Sequence, residues 1–305
     1  MTENAIRASS TTSGSWVRPR RSGVPVVRTR TELHAALREL PRPIGLVPTM
    51  GWLHAGHRSL MARSRAENPT TVMTLFVNPK QFNSADDLAR YPRNEARDLA
   101  IAADEGVTLV FAPPADEVYP PGFETTVSVG RLAGVLEGAA RPGHFDGVAT
   151  VVTILFNLVS ADVAYFGQKD AQQVMVISRM ARDLGMATNV MACATVREPD
   201  GLALSSRNAL LTPDARVAAP VVHRALEAAV RRYHAGERSA DALRDAMWEE
   251  LTAEPLAQPE YVSVASLDPR RELEELDAVA GPALLSMAVR FGDIRLIDNE
   301  RIEQS

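Results

Sequence analysis

Residues Val47–Leu60 read VPTMGWLHAGHRSL, and the parsing of this stretch decides the fold. Ile44 to Val47 is a short apolar strand, and Pro48-Thr49-Met50-Gly51 punctuates a strand-to-helix turn. From about Ala55, Leu60 and Met61 supply the apolar face of a helix, which places His57 in its first turn. His54 and His57 lie three residues apart, so on a helix both rings can address one ligand. The free backbone N–H groups and the dipole at such a terminus favour an anion. Imidazoles donate hydrogen bonds to phosphate oxygens and gain charge as negative charge develops nearby. Gly56 lets a base or phosphate approach the backbone. The pattern predicts a nucleotide phosphate cradle. Two other readings stand beside it. One is zinc ligation, although no third protein ligand or general-base glutamate is apparent nearby. The other is a structural pair, with one histidine capping the helix and one on the surface.

Working outward, the same alternation recurs. Thr31 is the expected N-cap of a helix through Leu40, and Thr70–Val77 reads as a buried strand ended by Asn78-Pro79. Glu95–Ala103 reads as helix, Thr108–Phe111 as strand and Gly143–Val159 as a long buried helix. Val163–Phe166 is a strand closed by Gly167, Asp170 can cap a helix reaching Leu184, and Thr188–Ala192 is another strand. Strands alternating with helices predict an α/β fold, a Rossmann-like doubly wound parallel sheet whose ligands sit beyond the carboxyl ends of the strands. After Val196 the character changes. Thr212-Pro213-Asp214 starts helices near Pro213–His234 and Ser239–Glu254, and Tyr261–Ser266, Leu284–Val289 and Ile294–Ile297 read as strands. The expected organisation is a disordered tail over 1–23, a Rossmann-like ligand-binding domain over 24–195 and a smaller C-terminal α+β lid domain over 196–305.

Composition narrows the function classes. The chain has 305 residues, 46% of them hydrophobic, enough for a substantial core. A net charge of -5 argues against a general nucleic-acid binder, which would need a basic field. The single cysteine, Cys193, cannot form an internal disulfide, consistent with a reducing, cytoplasmic setting. The longest apolar run, Val148–Val159, is broken by Asn157 and is too short to span a bilayer. The first 23 residues are rich in Ser, Thr and Arg with Glu3 their only acid, so they are set aside from the fold.

Three further stretches carry chemistry. In REPDGLALSSRN, Arg197–Asn208, two hydroxyls precede Arg207, whose guanidinium fork suits phosphate, and the loop could close over a triphosphate. In YFGQKDAQQ, Tyr165–Gln173, Lys169 stands at a strand end as a mobile point charge. Gln172 and Gln173 are neighbours, so one of them faces a ligand. In FVNPKQF, Phe76–Phe82, Asn78 and Gln81 offer uncharged amides that suit hydroxyls or carboxylates.

Together these stretches resemble the pantothenate synthetase (pantoate–β-alanine ligase) family, within the wider H-x-G-H nucleotidyltransferase superfamily. PTMGWLHAGH, FVNPKQF, RYPR, LEGAARPGHFDGV, YFGQKDAQQ, VREPDGLALSSRN and the C-terminal RLIDN occur in that family's order, from about Val24 to the end. Trp52, Ala55, Gln168 and Ala171 occupy positions expected to vary within it. The resemblance implies condensation of pantoate with β-alanine through pantoyl adenylate, consuming ATP with Mg²⁺ and releasing pyrophosphate and AMP. It implies that His54 and His57 contact the triphosphate, with His57 the proton donor, and that Lys169 and Arg207 stabilise the transferring phosphate. Ser205 and Ser206 would hold the outer phosphates. Met50, Gly51, Gly56, Gly167, Gln168, Asp170, Val196 and Leu204 would line the nucleotide site. Gln81 and Gln173 would bind pantoate or β-alanine, Pro48, Met50 and Phe76 would enclose pantoate's methyl groups, and Asp98 would stand near a Mg²⁺ held mainly by phosphates and water. A homodimer is implied, with neither nucleic acid nor membrane as partner. An adenylyltransferase without β-alanine dependence and a silent nucleotide-binding module are the competing readings.

Overall fold

The protein was analysed as a computed structural model, which describes residues 23–267, 271–276 and 281–303. Of the tail expected over 1–23, all but Gly23 lies outside the described residues.

β1 (Val26–Val27) leads to α1 (Arg30–Arg38), which is capped by Thr29 rather than Thr31. Glu32 explains the difference: it sits three residues after Thr29, so side chains and backbone N–H groups of the two close a reciprocal capping box. β2 (Ile44–Thr49) then enters α2 (Ala55–Glu67), followed by β3 (Thr70–Leu75), α3 (Ala85–Arg90), α4 (Glu95–Asp104), β4 (Leu109–Phe111) and the short turns of helix α5 (Ala115–Val118) and α6 (Glu137–Ala140). Gly143, at a φ of 79°, admits the buried α7 (His144–Val159). β5 (Val163–Gly167), α8 (Ala171–Asp183) and β6 (Asn189–Cys193) complete a sheet of order β1-β4-β3-β2-β5-β6, in which every pairing is parallel.

Helices cover both faces of this sheet, and the strands show why. Leu46, Val72, Phe111 and Phe166 point to one side, where α1, α7 and α8 bring Leu33, Phe156 and Ile177. Their chain neighbours Val47, Met73, Val110 and Tyr165 point to the other, where α2 and α4 bring Met61 and Ala102. Such strands read as continuous apolar runs because a parallel sheet is buried on both sides. The strand order reverses between β2 and β5, and a doubly wound sheet opens a crevice at that point.

The helix expected over Pro213–His234 is two helices, α9 (Pro213–Ala218) and α10 (Val221–His234), because Pro220 interrupts the chain between them. α11 (Ala240–Thr252) follows, capped by Ser239. β7 (Gln258–Ser266), β8 (Ala283–Phe291) and β9 (Ile294–Ile302) form an antiparallel sheet with β8 in the middle. It has its own apolar core, where Leu285 and Val289 meet Leu226 and Leu243. The last two strands run three and five residues further than their apolar stretches alone suggest, since antiparallel pairing continues through Asp298 and Asn299. Polar ties join the small sheet to α6. Arg295 holds the Glu137 carboxylate with Nη2 at 2.7 Å, and the Tyr261 hydroxyl donates to the same group at 2.8 Å.

Candidate active site

At the reversal point, the ends of β2 and β5 border a cavity of about 230 Å³. Its lining gathers Met50, His54, Gly56 and His57 from the first strand end, and Gly167, Lys169, Asp170 and Gln173 from the second. Gln81 comes from the loop after β3, and Val196, Leu204, Ser205, Ser206 and Arg207 from the segment after β6. Residues separated by more than a hundred positions therefore meet at one cavity beyond these strand ends. Pro48, Met50 and Phe76 form part of its apolar wall together with Val148 and Leu155.

Three expected site residues stand elsewhere. Gly51 is buried beneath the turn at a φ of 85°, and a Cβ there would lie 2.9 Å from the Asp98 carboxylate. Gln168 lines a different surface recess, and its carbonyl, rather than its side chain, is held, accepting from Asn299 Nδ2. Asp98 is 1% exposed, and its oxygens accept the backbone N–H groups of Trp52 (2.8 Å) and Leu53 (2.9 Å). It holds a turn in which Trp52 itself has a left-handed φ of 52°. Its carboxylate is thus occupied by the loop rather than turned toward a metal.

The histidine pair combines the cradle with the capping reading. His54 is the N-cap of α2, its Nδ1 accepting the Gly56 N–H at 3.1 Å, while His57 Nδ1 accepts the His54 N–H at 3.3 Å. These acceptors assign the neutral proton of each ring to Nε2, the one polar group left for a ligand. Burial pushes His57 down to about 3, helped by His54, and pushes His54 down to about 4, helped by the Lys169 charge. A neutral ring donates a hydrogen bond, not a proton, so the proton-donor role implied for His57 needs the charge of a bound phosphate to raise its basicity. Gly56 also has a reason beyond ligand approach: a Cβ there would sit 2.9 Å from His54 Cε1, so the glycine lets the capping ring fold back.

The amide loop is equally ordered. The Asn78 oxygen accepts Lys80 N–H (3.2 Å) and the Tyr119 hydroxyl (2.7 Å), and its Nδ2 donates to Gly147 O (3.1 Å) and Gln81 Oε1 (3.0 Å). The two backbone partners fix the Asn78 amide, which in turn fixes Gln81 with its NH₂ free for the cleft. Gln81 therefore presents N–H donors to the cleft. Its backbone carbonyl is held by His144 Nδ1 at 2.8 Å and Arg141 Nη2 at 3.1 Å. Of the adjacent glutamines, Gln172 is tied to Leu132 O and Val135 O, leaving Gln173 to line the cleft. Asp170 begins α8 without a side-chain cap bond. Its carboxylate instead stands 3.5 Å from Lys169 Nζ.

Sequence reasoning missed Arg141, His144 and Tyr91. They line a second cavity of about 500 Å³ between the two sheets, which shares Lys169, Gln173 and Ser205–Arg207 with the first. The signal was available, since RYPR and RPGHF carry them, but neither stretch has a spacing that names a chemistry. Burial lowers the Arg141 guanidinium from its ordinary value, and neighbouring Arg207 lowers it further. Among the described residues, no carboxylate forms a salt bridge with either.

A doubly wound α/β sheet with H-x-G-H at its reversal point, a strand-end lysine and a hydroxyl–arginine loop defines a nucleotide-binding enzyme of the nucleotidyltransferase type. Comparison with known proteins narrows the class. A family model described as pantoate-beta-alanine ligase matches residues 25–301. The chain is 56% identical over 274 residues to a pantothenate synthetase of Roseiflexus castenholzii, covering 90% of this chain and 98% of that one. The fold matches the crystal structure of pantothenate synthetase from Thermus thermophilus with a TM-score of 0.85 at 47% identity, over 91% and 99% of the two chains. It also matches the Francisella tularensis pantoate-beta-alanine ligase, solved with beta-gamma ATP and beta-alanine, with a TM-score of 0.74 at 31% identity, over 91% and 97%. The chain belongs to the pantoate-beta-alanine ligase family.

Proposed function

We propose that this cleft carries out its family's reaction, the ATP-dependent condensation of pantoate with β-alanine to pantothenate. The pantoate carboxylate attacks the α-phosphorus of ATP, forming pantoyl adenylate and releasing pyrophosphate. The β-alanine amine then attacks the acyl carbon and AMP departs. The observation that carries this reading is the convergence of His54, His57, Lys169, Ser205, Ser206 and Arg207 on one cavity beside Gln81 and Gln173. No enzyme nucleophile is needed, so catalysis rests on alignment and on stabilising phosphate charge.

In this reading the Nε2–H groups of His54 and His57 bond phosphate oxygens, and Lys169 and Arg207 neutralise the transferring phosphate. Ser205 and Ser206 hold the outer phosphates, while Met50, Gly56, Gly167, Asp170, Val196 and Leu204 shape the nucleotide site. The Gln81 NH₂ and Gln173 bind pantoate, whose methyl groups meet Pro48, Met50 and Phe76. The larger cavity admits β-alanine, with the Arg141 guanidinium, which no described carboxylate pairs, receiving its carboxylate. Mg²⁺ would arrive on the phosphates, shielding their charge. Asp170 is the one described carboxylate lining the smaller cleft, and no described cluster of three metal-ligating side chains exists, which fits an ion that keeps its water. The segment 24–195 acts as the binding domain and 196–305 as the lid. The enzyme works as a homodimer in the cytoplasm. No described helix is long and apolar enough to cross a membrane.

The test is pyrophosphate release from ATP-Mg²⁺ and pantoate, with and without β-alanine, while AMP is followed. A single burst without β-alanine and sustained AMP with it are expected. Sustained turnover indifferent to β-alanine would instead mark an adenylyltransferase, and ATP binding with no pyrophosphate a silent module.

A further inference from the structure

The C-terminal stretch RLIDN lies on β9, in the small antiparallel sheet, and Asp298 and Asn299 border the larger cavity but not the cleft that holds the histidines. Both are nonetheless nearly closed off from solvent, at 3% and 5% exposure. Their partners are the two backbone segments that carry the phosphate-facing cations. The Asn299 Nδ2 donates one hydrogen bond to Gln168 O at 3.0 Å and another to Lys169 O at 2.8 Å. Two successive carbonyls held by one NH₂ group fix the peptide plane between them, and with it the direction in which the Lys169 side chain leaves the backbone. The Asp298 carboxylate receives the Arg197 guanidinium on both oxygens, with Nη2 to Oδ1 at 3.2 Å. Arg197 opens the segment that turns back through a bridge to Ala203 and continues into Ser205, and its Nη1 also donates to Gly201 O at 3.2 Å. A hydrogen bond from Asn299 N to Asp298 Oδ1, at 2.8 Å, joins the two grips.

We propose that Asp298 and Asn299 are positioning residues for adenylation. By gripping both strand-end segments at once, one dipeptide of the small sheet sets Lys169 in register with Ser205–Arg207 across the triphosphate. The small sheet is thus a structural part of the nucleotide site as well as a cover for it. Neither side chain needs to touch substrate. Asparagine is required at 299 because two carbonyls demand two donors, and an aspartate offers none. Misplacing a catalytic group by about 1 Å costs on the order of 100-fold in rate, so loss of the grip falls on the step that uses both cation segments.

The proposal rests on the ligase reading, and the two are separable by measuring the half-reactions apart. Pyrophosphate release from ATP and pantoate reports adenylation. Pantothenate formation from supplied pantoyl adenylate and β-alanine reports the second step, which involves no pyrophosphate. Asn299→Ala is expected to lower adenylation by about 10- to 100-fold with a raised KM for ATP, an unchanged KM for pantoate, and a second step within about twofold of the unsubstituted enzyme. Asp298→Asn keeps the shape and some of the Arg197 bonds and guards against a misfolded alanine variant. It is expected to show the same split at about 3- to 10-fold. Equal loss in both half-reactions, or adenylation within twofold in both variants, would overturn the positioning role. Absence of pyrophosphate release in the unsubstituted enzyme would instead sink the ligase reading itself.

Discussion

His57 Nδ1 accepts the backbone N–H of His54 at 3.3 Å, so the ring that faces the cleft also closes the first turn of the helix that carries it. The bond requires an unprotonated Nδ1, and burial holds the ring down to about 3. Between pH 6.5 and 3 the unfolded chain therefore takes up a proton that the folded chain refuses. The sign follows directly. Stability is fully present above about 6.5 and is lost as pH falls through this window, by at most about 1.4 kcal/mol per pH unit for one such group. His144, pushed down to about 4 by burial and by Arg141, acts in the same direction. Urea melts at pH 7 and pH 5 should show this fall. His57→Gln, which keeps an acceptor at the capping position, should reduce the slope by about one proton. The same variant should lose about 10²- to 10³-fold in adenylation. An unchanged slope would mean that His57 titrates normally in the fold.

Gln81 offers donors only, because Asn78 occupies its oxygen. In the proposed pantoate pose, Gln81→Glu places an acceptor and a negative charge against an acceptor, with little change in size. The pantoate kcat/KM should fall by at least about 100-fold while ATP affinity stays within about threefold, since a buried unpaired charge costs more than a made hydrogen bond contributes. A variant with normal use of pantoate would show that the amide is reversed or that Gln81 faces something else.

Arg141 tests the proposed placing of the two substrates. If it receives the β-alanine carboxylate, Arg141→Lys should raise the β-alanine KM by about tenfold or more, because lysine lacks the planar fork. Pyrophosphate release without β-alanine should stay within about twofold. A matching rise in the pantoate KM would show that Arg141 acts through the Gln81 carbonyl it also holds.

Legibility of this fold and site followed the range of the interactions involved. Strand-turn-helix order, the two-faced apolar strands and the helix beginning at Ala55 are local patterns, and they appear where the residues put them. The cap at Thr29 was missed because Thr31 and Thr29 look alike until Glu32 is counted from each. The break at Pro220 is legible in the chain, since proline lacks the N–H that a continuous helix would need there. Gln172, Asp98 and Asn299 are different in kind. Each is a polar residue whose partner is a backbone group dozens of positions away, and no spacing in the chain announces it. Arg141 and His144 were hidden for the same reason, since their meaning comes from the loop they meet.

Asp98 gives the last test, because a metal role and a loop role predict different losses. Its two bonds to Trp52 N and Leu53 N hold a turn with successive left-handed residues at Gly51 and Trp52, and Arg97 stacks its guanidinium 5.2 Å from the Trp52 ring centroid. Asp98→Ala leaves two buried N–H groups unpaired at the entrance to α2, so stability should fall by about 3 kcal/mol. Adenylation should fall with it, since His54 begins where this turn ends. The Mg²⁺ concentration for half-maximal activity should stay within about twofold of the unsubstituted enzyme, because the carboxylate faces the turn and does not line the cleft. A large rise in the Mg²⁺ requirement with unchanged thermal stability would return Asp98 to the metal.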